Sequence, residues 1–158
     1  MSKCRNCAPG EACYVPDKYR VFQVDEFGHN YGEEEMMQEI YQRGPIACNV
    51  AVPEALEEYT GGVYCDDTGD QEFVHLVSVV GWGVDEDGQK FWNVRNSWGS
   101  AWGEEGFFRV CRGVNNIAIE SNCAWATPVD TWTDQVWHET TDEEKNDPKN
   151  DKTVYPFP

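Results

Sequence analysis

Apolar and polar positions along the chain predict one clear helix, over residues 33–42. Acidic residues fill its first turn, an apolar stripe runs along one face, and Gly44-Pro45 follows its last turn. The stripe consists of Met36, Met37, Ile40 and Tyr41. We interpret these side chains as part of a hydrophobic core, because an amphipathic helix buries its apolar face.

Runs of β-branched and aromatic residues predict the strands, with short turns between them. The runs cover residues 19–24, 46–52, 73–82, 91–95 and 106–111, and residues 54–59 permit a short helix. The pair Asp87-Gly88 favours a hairpin turn within residues 85–88. Several strands with short turns and one leading helix predict an α+β fold with an antiparallel sheet or barrel.

The charge balance restricts the partners of the protein. Its 158 residues include 12 basic and 29 acidic side chains, a formal net charge of −17. Nucleic acids and anionic membranes repel such a surface, so we expect neither as a partner. No apolar run approaches the roughly 18 residues that a transmembrane helix requires. Met1 to Cys4 are not followed by an apolar core, so no signal peptide is predicted in this chain.

The last stretch of the chain has a different composition from the rest. Residues 130–158 contain eight acids and three lysines, a net −5, so the first 129 residues carry −12 of the total −17. Aliphatic residues are nearly absent there, although four aromatic residues offer docking points. We predict a folded domain over residues 1–128 and an acidic, disordered tail over residues 129–158.

Seven cysteines leave at least one without a partner in the chain if the others pair. Their density and spread favour disulfides and an oxidising compartment. The alternative is a zinc site that uses Cys4, Cys7 and Cys13. A structural zinc site takes four ligands, and neither His29 nor a further clustered cysteine completes the familiar spacing. Disulfides are therefore the favoured interpretation.

Two polar residues interrupt apolar strands, and the predicted hairpin brings them together. His75 and Asn96 are 21 residues apart, and their midpoint falls inside the turn at residues 85–88. Opposite residues of an antiparallel hairpin have a nearly constant number sum, which a bulge shifts by one or two positions. We therefore expect Asn96 to lie close to His75.

A histidine oriented by an amide is typical of nucleophilic catalysis. The amide fixes the tautomer of the ring and leaves the other ring nitrogen to face a nucleophile. Asn96 is neutral, which suits a histidine that works as a cation beside a thiolate, and Trp98 stands where an indole can exclude water from the pair. Spacing alone leaves open the alternative that His75 is a structural strand histidine.

Two longer motifs resemble the histidine and asparagine motifs of papain-family cysteine peptidases. They are HLVSVVGWG at residues 75–83 and FWNVRNSWGSAWGEEGF at residues 91–107. The finer similarity is to the cathepsin X branch of that family. It is carried by Cys123 and by residues 35–41, 44–48, 59–64 and 116–120. The resemblance extends over roughly residues 4–128, outside the acidic tail.

The resemblance implies roles for individual residues. His75 would be the general base and acid, and Asn96 its orienting partner. Trp98 would shield that pair and line the primed side of the substrate cleft, with Trp102 beside it. Asn49 would face the S2 pocket. Val74 stands before His75, where the cathepsin X branch has an asparagine, so this position departs from the pattern of that branch.

The resemblance also implies disulfide pairs, but no cofactor and no metal. Cys7–Cys13 and Cys48–Cys123 are similar to pairs of the cathepsin X branch. Cys65 and Cys111 have no family counterparts, so we expect them to form an extra bridge. Cys4 is then the odd thiol, and in the family its partner lies in the N-terminal half.

The family's nucleophile is missing from this chain. It is a cysteine that opens a helix, in a context such as Cys-Gly-Ser-Cys-Trp, about 130–150 residues before the histidine. Only 74 residues precede His75, and no cysteine among them has that context. The resemblance therefore implies the C-terminal, right-hand β-barrel half of a papain-like fold, without the helical left half. We expect the isolated chain to lack peptidase activity and to expose an apolar patch.

Three function classes follow from these observations. The favoured one is a part of a lysosomal or secreted peptidase that acts on peptides, with the missing N-terminal half as partner. The second is a non-catalytic papain-like binding module, and the third is a zinc-stapled acidic interaction protein. Coding sequence before Met1 that carries the nucleophile motif would favour the first class, and metal analysis tests the third.

Overall fold

A computed structural model describes residues 13–129 and 137–145. The chain forms two compact units, a core unit of residues 25–127 and a terminal unit of residues 1–24 with 128–158. The elements in chain order are β1 (Lys18–Arg20), β2 (Val24–Asn30), α1 (Gly32–Arg43), β3 (Ile46–Val50), α2 (Glu54–Glu57), β4 (Val63–Tyr64), β5 (His75–Val84), β6 (Lys90–Arg95), β7 (Phe107–Cys111), a 3-10 helix (Asn116–Ala118), β8 (Cys123–Pro128), β9 (Trp137–Glu139) and α3 (Asp142–Lys145). Within these described residues no helix is long and apolar enough to cross a membrane.

The core unit is built on a seven-stranded sheet with the strand order β2-β8-β3-β5-β6-β7-β4. Neighbouring strands from β8 to β7 pair antiparallel, whereas β4 runs parallel to β7. Helix α1 precedes most of the strands in the chain. This combination of one helix with a largely antiparallel sheet confirms the predicted α+β fold. The sheet is open, because β2 and β4 lie at its opposite edges.

Helix α1 lies where the sequence predicts it, but fewer of its apolar side chains are buried in the core than expected. Glu35 accepts a hydrogen bond from the Tyr31 backbone N–H at 2.9 Å, which satisfies one of the free donors at the helix start. Met36 and Ile40 are buried, but Tyr41 is 85% exposed, so its assignment to the core is wrong. Met36 and Ile40 are four residues apart and share one face, whereas Tyr41 lies about 100° further round the helix.

The core lies between α1 and one face of the sheet. That face is formed by alternate residues of four strands, all at most 8% exposed: Ile46, Cys48, Val50, Val77, Val79, Trp92, Val94, Phe108 and Val110. Leu56, Ile117 and Ile119 close the core from the connecting segments. The other residues of these strands point to the opposite face, because side chains alternate along a strand.

The β5–β6 hairpin contains a bulge that changes which residues share a face. Gly81 pairs with Asn93, a number sum of 174, whereas Val79 pairs with Val94, a sum of 173. The extra residue on β5 lets both Val79 and Trp82 lie opposite core-facing residues of β6. Continuing the shifted register past Ser78–Arg95 places Asn96 beside Val77, on the core face.

Two disulfides stabilise the core unit. Cys48–Cys123 joins the paired strands β3 and β8 and is completely buried. Cys65–Cys111 joins the residue that follows β4 to the last residue of β7. This pair is the extra bridge that the sequence predicts. Cys4 and Cys7 lie outside the described residues, so the pairing Cys7–Cys13 stays a prediction.

The terminal unit contains part of the segment predicted to be a tail. β1 pairs antiparallel with β9, and the rings of Tyr19 and His138 are 5.0 Å apart. Lys145 of α3 forms an ion pair with Asp17 at 2.5 Å. Residues 137–145 therefore form a strand and a helix although they belong to the predicted disordered tail. The domain division at residue 128 stays a prediction.

Candidate active site

The sheet register brings His75 and Asn96 together, as the hairpin arithmetic predicts. His75 is the first residue of β5, and Asn96 directly follows the last residue of β6. The His75 Nε2 and Asn96 Oδ1 atoms are 2.8 Å apart. This contact depends on the bulge, because the unshifted sum of 174 would place Asn96 opposite Ser78, on the other face.

The position of the Asn96 side chain is fixed from a second direction. Its Oδ1 also accepts a hydrogen bond from the Ser97 backbone N–H, at 2.8 Å. Oδ1 is only an acceptor, so the proton in the contact with His75 belongs to Nε2. The neutral ring then carries its lone pair on Nδ1. The arrangement can accept and return a proton at that atom.

Trp98 covers the ring of His75. The two ring centroids are 5.3 Å apart with an interplanar angle of 24°, a stacked geometry. Trp98 itself is 37% exposed, so its outer face is open to solvent. An indole in this position shields the His75–Asn96 hydrogen bond from water and strengthens it.

Trp102 packs against Trp98 and is itself held by several contacts. The indoles of Trp98 and Trp102 form an edge-to-face pair with centroids 4.8 Å apart. Trp102 Nε1–H donates to the Glu57 carbonyl at 2.8 Å, and its ring packs on Tyr59 and Phe108, with centroids 5.6 Å away in both cases. His75, Asn96, Trp98 and Trp102 therefore form one contiguous group.

A tight loop, residues 96–107, carries both tryptophans. Asn96 N–H donates to the Gly106 carbonyl at 2.9 Å, and Gly106 N–H donates to the Trp102 carbonyl at 2.8 Å. Gly103 has φ +57, and a Cβ at this position would lie 2.6 Å from the Phe107 carbonyl oxygen. Only glycine fits there, because the conformation is left-handed and a neighbouring backbone approaches closely.

The ion pair between Glu104 and Arg109 lies next to the aromatic residues, and the sequence did not predict it. Glu104 accepts from Arg109 Nε at 3.0 Å and from Arg109 Nη2 at 2.5 Å, and it also accepts from Gly62 N–H at 3.1 Å. The Arg109 guanidinium lowers the pKa of Glu104, whereas burial raises the pKa of Tyr59 beside it. A single sequence offers no signal for this pair beyond its charges, because it depends on the loop conformation.

Asn49 lies away from this group. It pairs with Leu76 across β3 and β5, so it lies on the outer face of the sheet, opposite to the face that His75 shares with the core. Leu76 is 57% exposed on that outer face. It lines an open depression of about 410 Å³ together with Ala47, Val77, Ser78, Arg95, Asn96 and Ser97. The assignment of Asn49 to an S2 pocket stays a prediction.

The core unit contains no free thiolate to react at Nδ1 of His75. All four cysteines of residues 25–127 are in the disulfides Cys48–Cys123 and Cys65–Cys111. The described residues also contain no cluster of three or more side chains suited to hold a metal ion. Of the cysteines in the zinc alternative, Cys4 and Cys7 lie outside the described part of the chain.

The chain belongs to the papain family of cysteine proteases, since residues 3–127 match the model of that family. Its fold and its adjacent histidine and asparagine agree with this class. Two solved structures share the fold. Procathepsin L 3 from Tenebrio molitor has a TM-score of 0.62 and 32% identity, covering 66% of this chain and 36% of that one. Procathepsin B S9 from Trypanosoma congolense has a TM-score of 0.62 and 32% identity, with 68% and 37% covered.

Among curated relatives, the chain is similar to cathepsin Z (also called cathepsin X) of Onchocerca volvulus. The two are 40% identical over 136 residues, which is 81% of this chain and 44% of the relative. A cathepsin B-like cysteine proteinase 6 of Caenorhabditis elegans is 38% identical over 115 residues, 73% of this chain and 30% of the relative. The chain thus spans less than half the length of these relatives.

Proposed function

We propose that this chain supplies the histidine–asparagine part of a cathepsin X-like cysteine peptidase. In this proposal His75 is the general base and acid, Asn96 orients it, and Trp98 excludes water from the pair. The observation that carries the proposal is the 2.8 Å contact between Nε2 and Oδ1 under a stacked indole. Membership of the papain family supports the assignment of the reaction class.

The proposed reaction uses Nδ1 of His75 in both of its steps. A cysteine thiolate forms a C–S bond with the peptide carbonyl carbon, and the C–N bond breaks as the leaving amine takes a proton from Nδ1. A water molecule then attacks the thioester carbon while Nδ1 takes its proton. The C–S bond breaks and the thiolate returns. Asn96 Oδ1 holds the Nε2–H throughout and stabilises the imidazolium form.

The thiolate in this proposal comes from the N-terminal half of the relatives, which this chain does not match, docked at the ends of β5 and β6 that carry His75 and Asn96. Two observations support the docking position. The depression lined by Leu76 is apolar and open, and it adjoins Asn96. The Asn96 Nδ2 group is buried without a hydrogen-bond partner among the described residues. A buried donor left unpaired is costly, so an additional segment with a carbonyl there would stabilise the site.

The substrate in this proposal is a peptide or protein, and the assembled enzyme works in the lysosome or outside the cell. Trp98 and Trp102 would line the primed side of its cleft, and Asn49 would approach the S2 pocket from the outer face. The disulfides of the core unit are consistent with such a compartment, because bridges persist under oxidising conditions. The formal net charge of −17 repels a nucleic acid, which favours a peptide as the substrate.

A complementation experiment tests the proposal. The purified 158-residue chain should not cleave peptides, because the four cysteines of the core unit are paired and none of the other three has the sequence context of the family's nucleophile. Co-expression with the portion of Onchocerca volvulus cathepsin Z that this chain does not match should give peptidase activity that a thiol-directed inhibitor blocks. Fluorogenic peptides measure both results. Thiol-dependent cleavage by the chain alone would contradict the proposal, and so would an assembled but inactive complex.

The docking face is tested by a matched pair of substitutions. Leu76→Asp places a charge in the proposed contact and should weaken assembly with the cathepsin Z portion about tenfold or more. Val84→Asp is the control, because Val84 and Leu76 are 56% and 57% exposed on the same strand and Val84 lies beside the hairpin turn. Titration calorimetry measures the affinity. Equal effects of both substitutions would contradict the docking position.

A further inference from the structure

We propose that Glu104 is a positioning residue that holds Trp98 over His75 without touching either of them. The inference rests on the proposed function only in so far as His75 is taken to be the reacting base. Glu104 lies in the loop of residues 96–107, and it acts in the proposal through Trp102.

Glu104 joins three separate segments of the chain. It belongs to the loop that carries Trp98 and Trp102, it forms a bidentate ion pair with Arg109 of β7, and it accepts a hydrogen bond from Gly62 just before β4. A bidentate carboxylate–guanidinium pair fixes both side chains in direction as well as in distance. The loop is thereby fastened to two neighbouring strands at one point.

The segment held by Glu104 forms the surface against which Trp102 rests. Tyr59 OH donates to the Gly62 carbonyl at 2.6 Å and accepts from Arg109 N–H at 3.2 Å, so Tyr59 is part of the same network. The Tyr59 ring packs on Trp102, and Glu57 accepts the Trp102 indole hydrogen bond at 2.8 Å. Displacement of this segment or of the loop would therefore release Trp102.

Trp102 transmits this position to the reacting histidine. Its indole meets Trp98 edge to face at 4.8 Å, and Trp98 stacks on His75 at 5.3 Å. Trp98 is partly exposed and has solvent on its outer side. Its orientation over His75 consequently depends on the support from Trp102, which in turn depends on Glu104.

The test measures the stacking directly in the 158-residue chain. Protons above the face of an indole resonate upfield, so the His75 ring protons report the position of Trp98 in a proton NMR spectrum. Glu104→Gln keeps the size of the side chain but presents an amide NH2 to the guanidinium. We expect this variant to stay folded and to lose most of the upfield displacement of the His75 resonances. His29→Gln and His138→Gln variants assign the three histidines.

Glu39→Gln is the matched control. Glu39 also forms an ion pair with an arginine, Arg43, at 2.9 Å, but Arg43 lies over Trp125 and away from the site. This variant should leave the His75 resonances unchanged. Arg109→Gln should have the same effect as Glu104→Gln, and the double variant should add little, because the two side chains act as one unit.

Unmoved His75 resonances in folded Glu104→Gln and Arg109→Gln would overturn the proposal, even if both variants were less stable. An equal displacement in Glu39→Gln would overturn it as well, because the effect would then be general loosening. The measurement requires neither a nucleophile nor a substrate. Failure of the complementation experiment would therefore contradict the peptidase proposal without affecting this result.

Discussion

Replacement of His75 by glutamine should lower kcat/KM of the assembled enzyme by about 10³-fold or more, with assembly unchanged. Glutamine cannot accept and return the proton that the ring carries at Nδ1, whereas its size keeps the strand packing. Asn96→Ala should lower kcat/KM less, by about 10²-fold, because the histidine remains but loses its orientation. Cleavage of a fluorogenic peptide by the chain combined with the cathepsin Z portion measures both effects.

Two control variants separate chemistry from folding. His29→Gln changes an exposed strand histidine, and Asn93→Ala removes an amide from β6 three residues before Asn96, on the outer face. Both should leave kcat/KM nearly unchanged. If His75→Gln retained activity within tenfold of the unchanged chain, His75 would not be the general base, and the structural interpretation of this strand histidine would stand.

Removal of the Cys48–Cys123 bridge, as Cys48→Ala with Cys123→Ala, should lower the free energy of unfolding by about 4 kcal/mol or more. The bridge joins residues 75 positions apart, so its loss releases a long loop in the unfolded chain. Both cysteines are 0% exposed, and truncation to alanine also leaves a cavity in the core. Urea unfolding monitored by tryptophan fluorescence measures the loss.

The second bridge provides the comparison for this prediction. Cys65–Cys111 closes a separation of 46 residues, which the loop-entropy relation values at about 4 kcal/mol, little less than the first bridge. Cys65 is exposed, however, and its bridge ends at the edge strand β4. The corresponding double alanine variant should therefore cost less than the first. If removal of Cys65–Cys111 lowered the free energy of unfolding more than removal of Cys48–Cys123, burial would not be what makes the first bridge more stabilising.

Much of the fold could be predicted because local patterns agree with the tertiary structure. Helix α1, strands β3, β5, β6 and β7 and the turn between β5 and β6 lie within a few residues of the predicted positions. Strands β2, β4 and β8 were not predicted. They lie at or next to the sheet edges, and half-exposed edge strands do not need the continuous apolar runs that identify central strands.

The pairing of His75 with Asn96 shows both the reach and the limit of sequence reasoning. The hairpin arithmetic brings the two residues near each other. Whether their side chains share a face depends on one extra residue of β5 between Val79 and Gly81. A bulge has no reliable signature in a single sequence, because it is selected by the packing of both faces.

By itself the sequence determined the α+β class, the central hairpin, the family resemblance and the residues able to carry acid–base chemistry. These features are encoded in the periodicity of apolar residues, in turn residues and in motifs, all of which involve residues close together in the sequence. The tertiary structure alone decided the common face of His75 and Asn96, the exposure of Tyr41 and the contacts from Glu104 to Trp98. Each of these depends on contacts between residues distant in the chain or on the way whole elements pack, and such contacts form only when the helix and the strands assemble around the core.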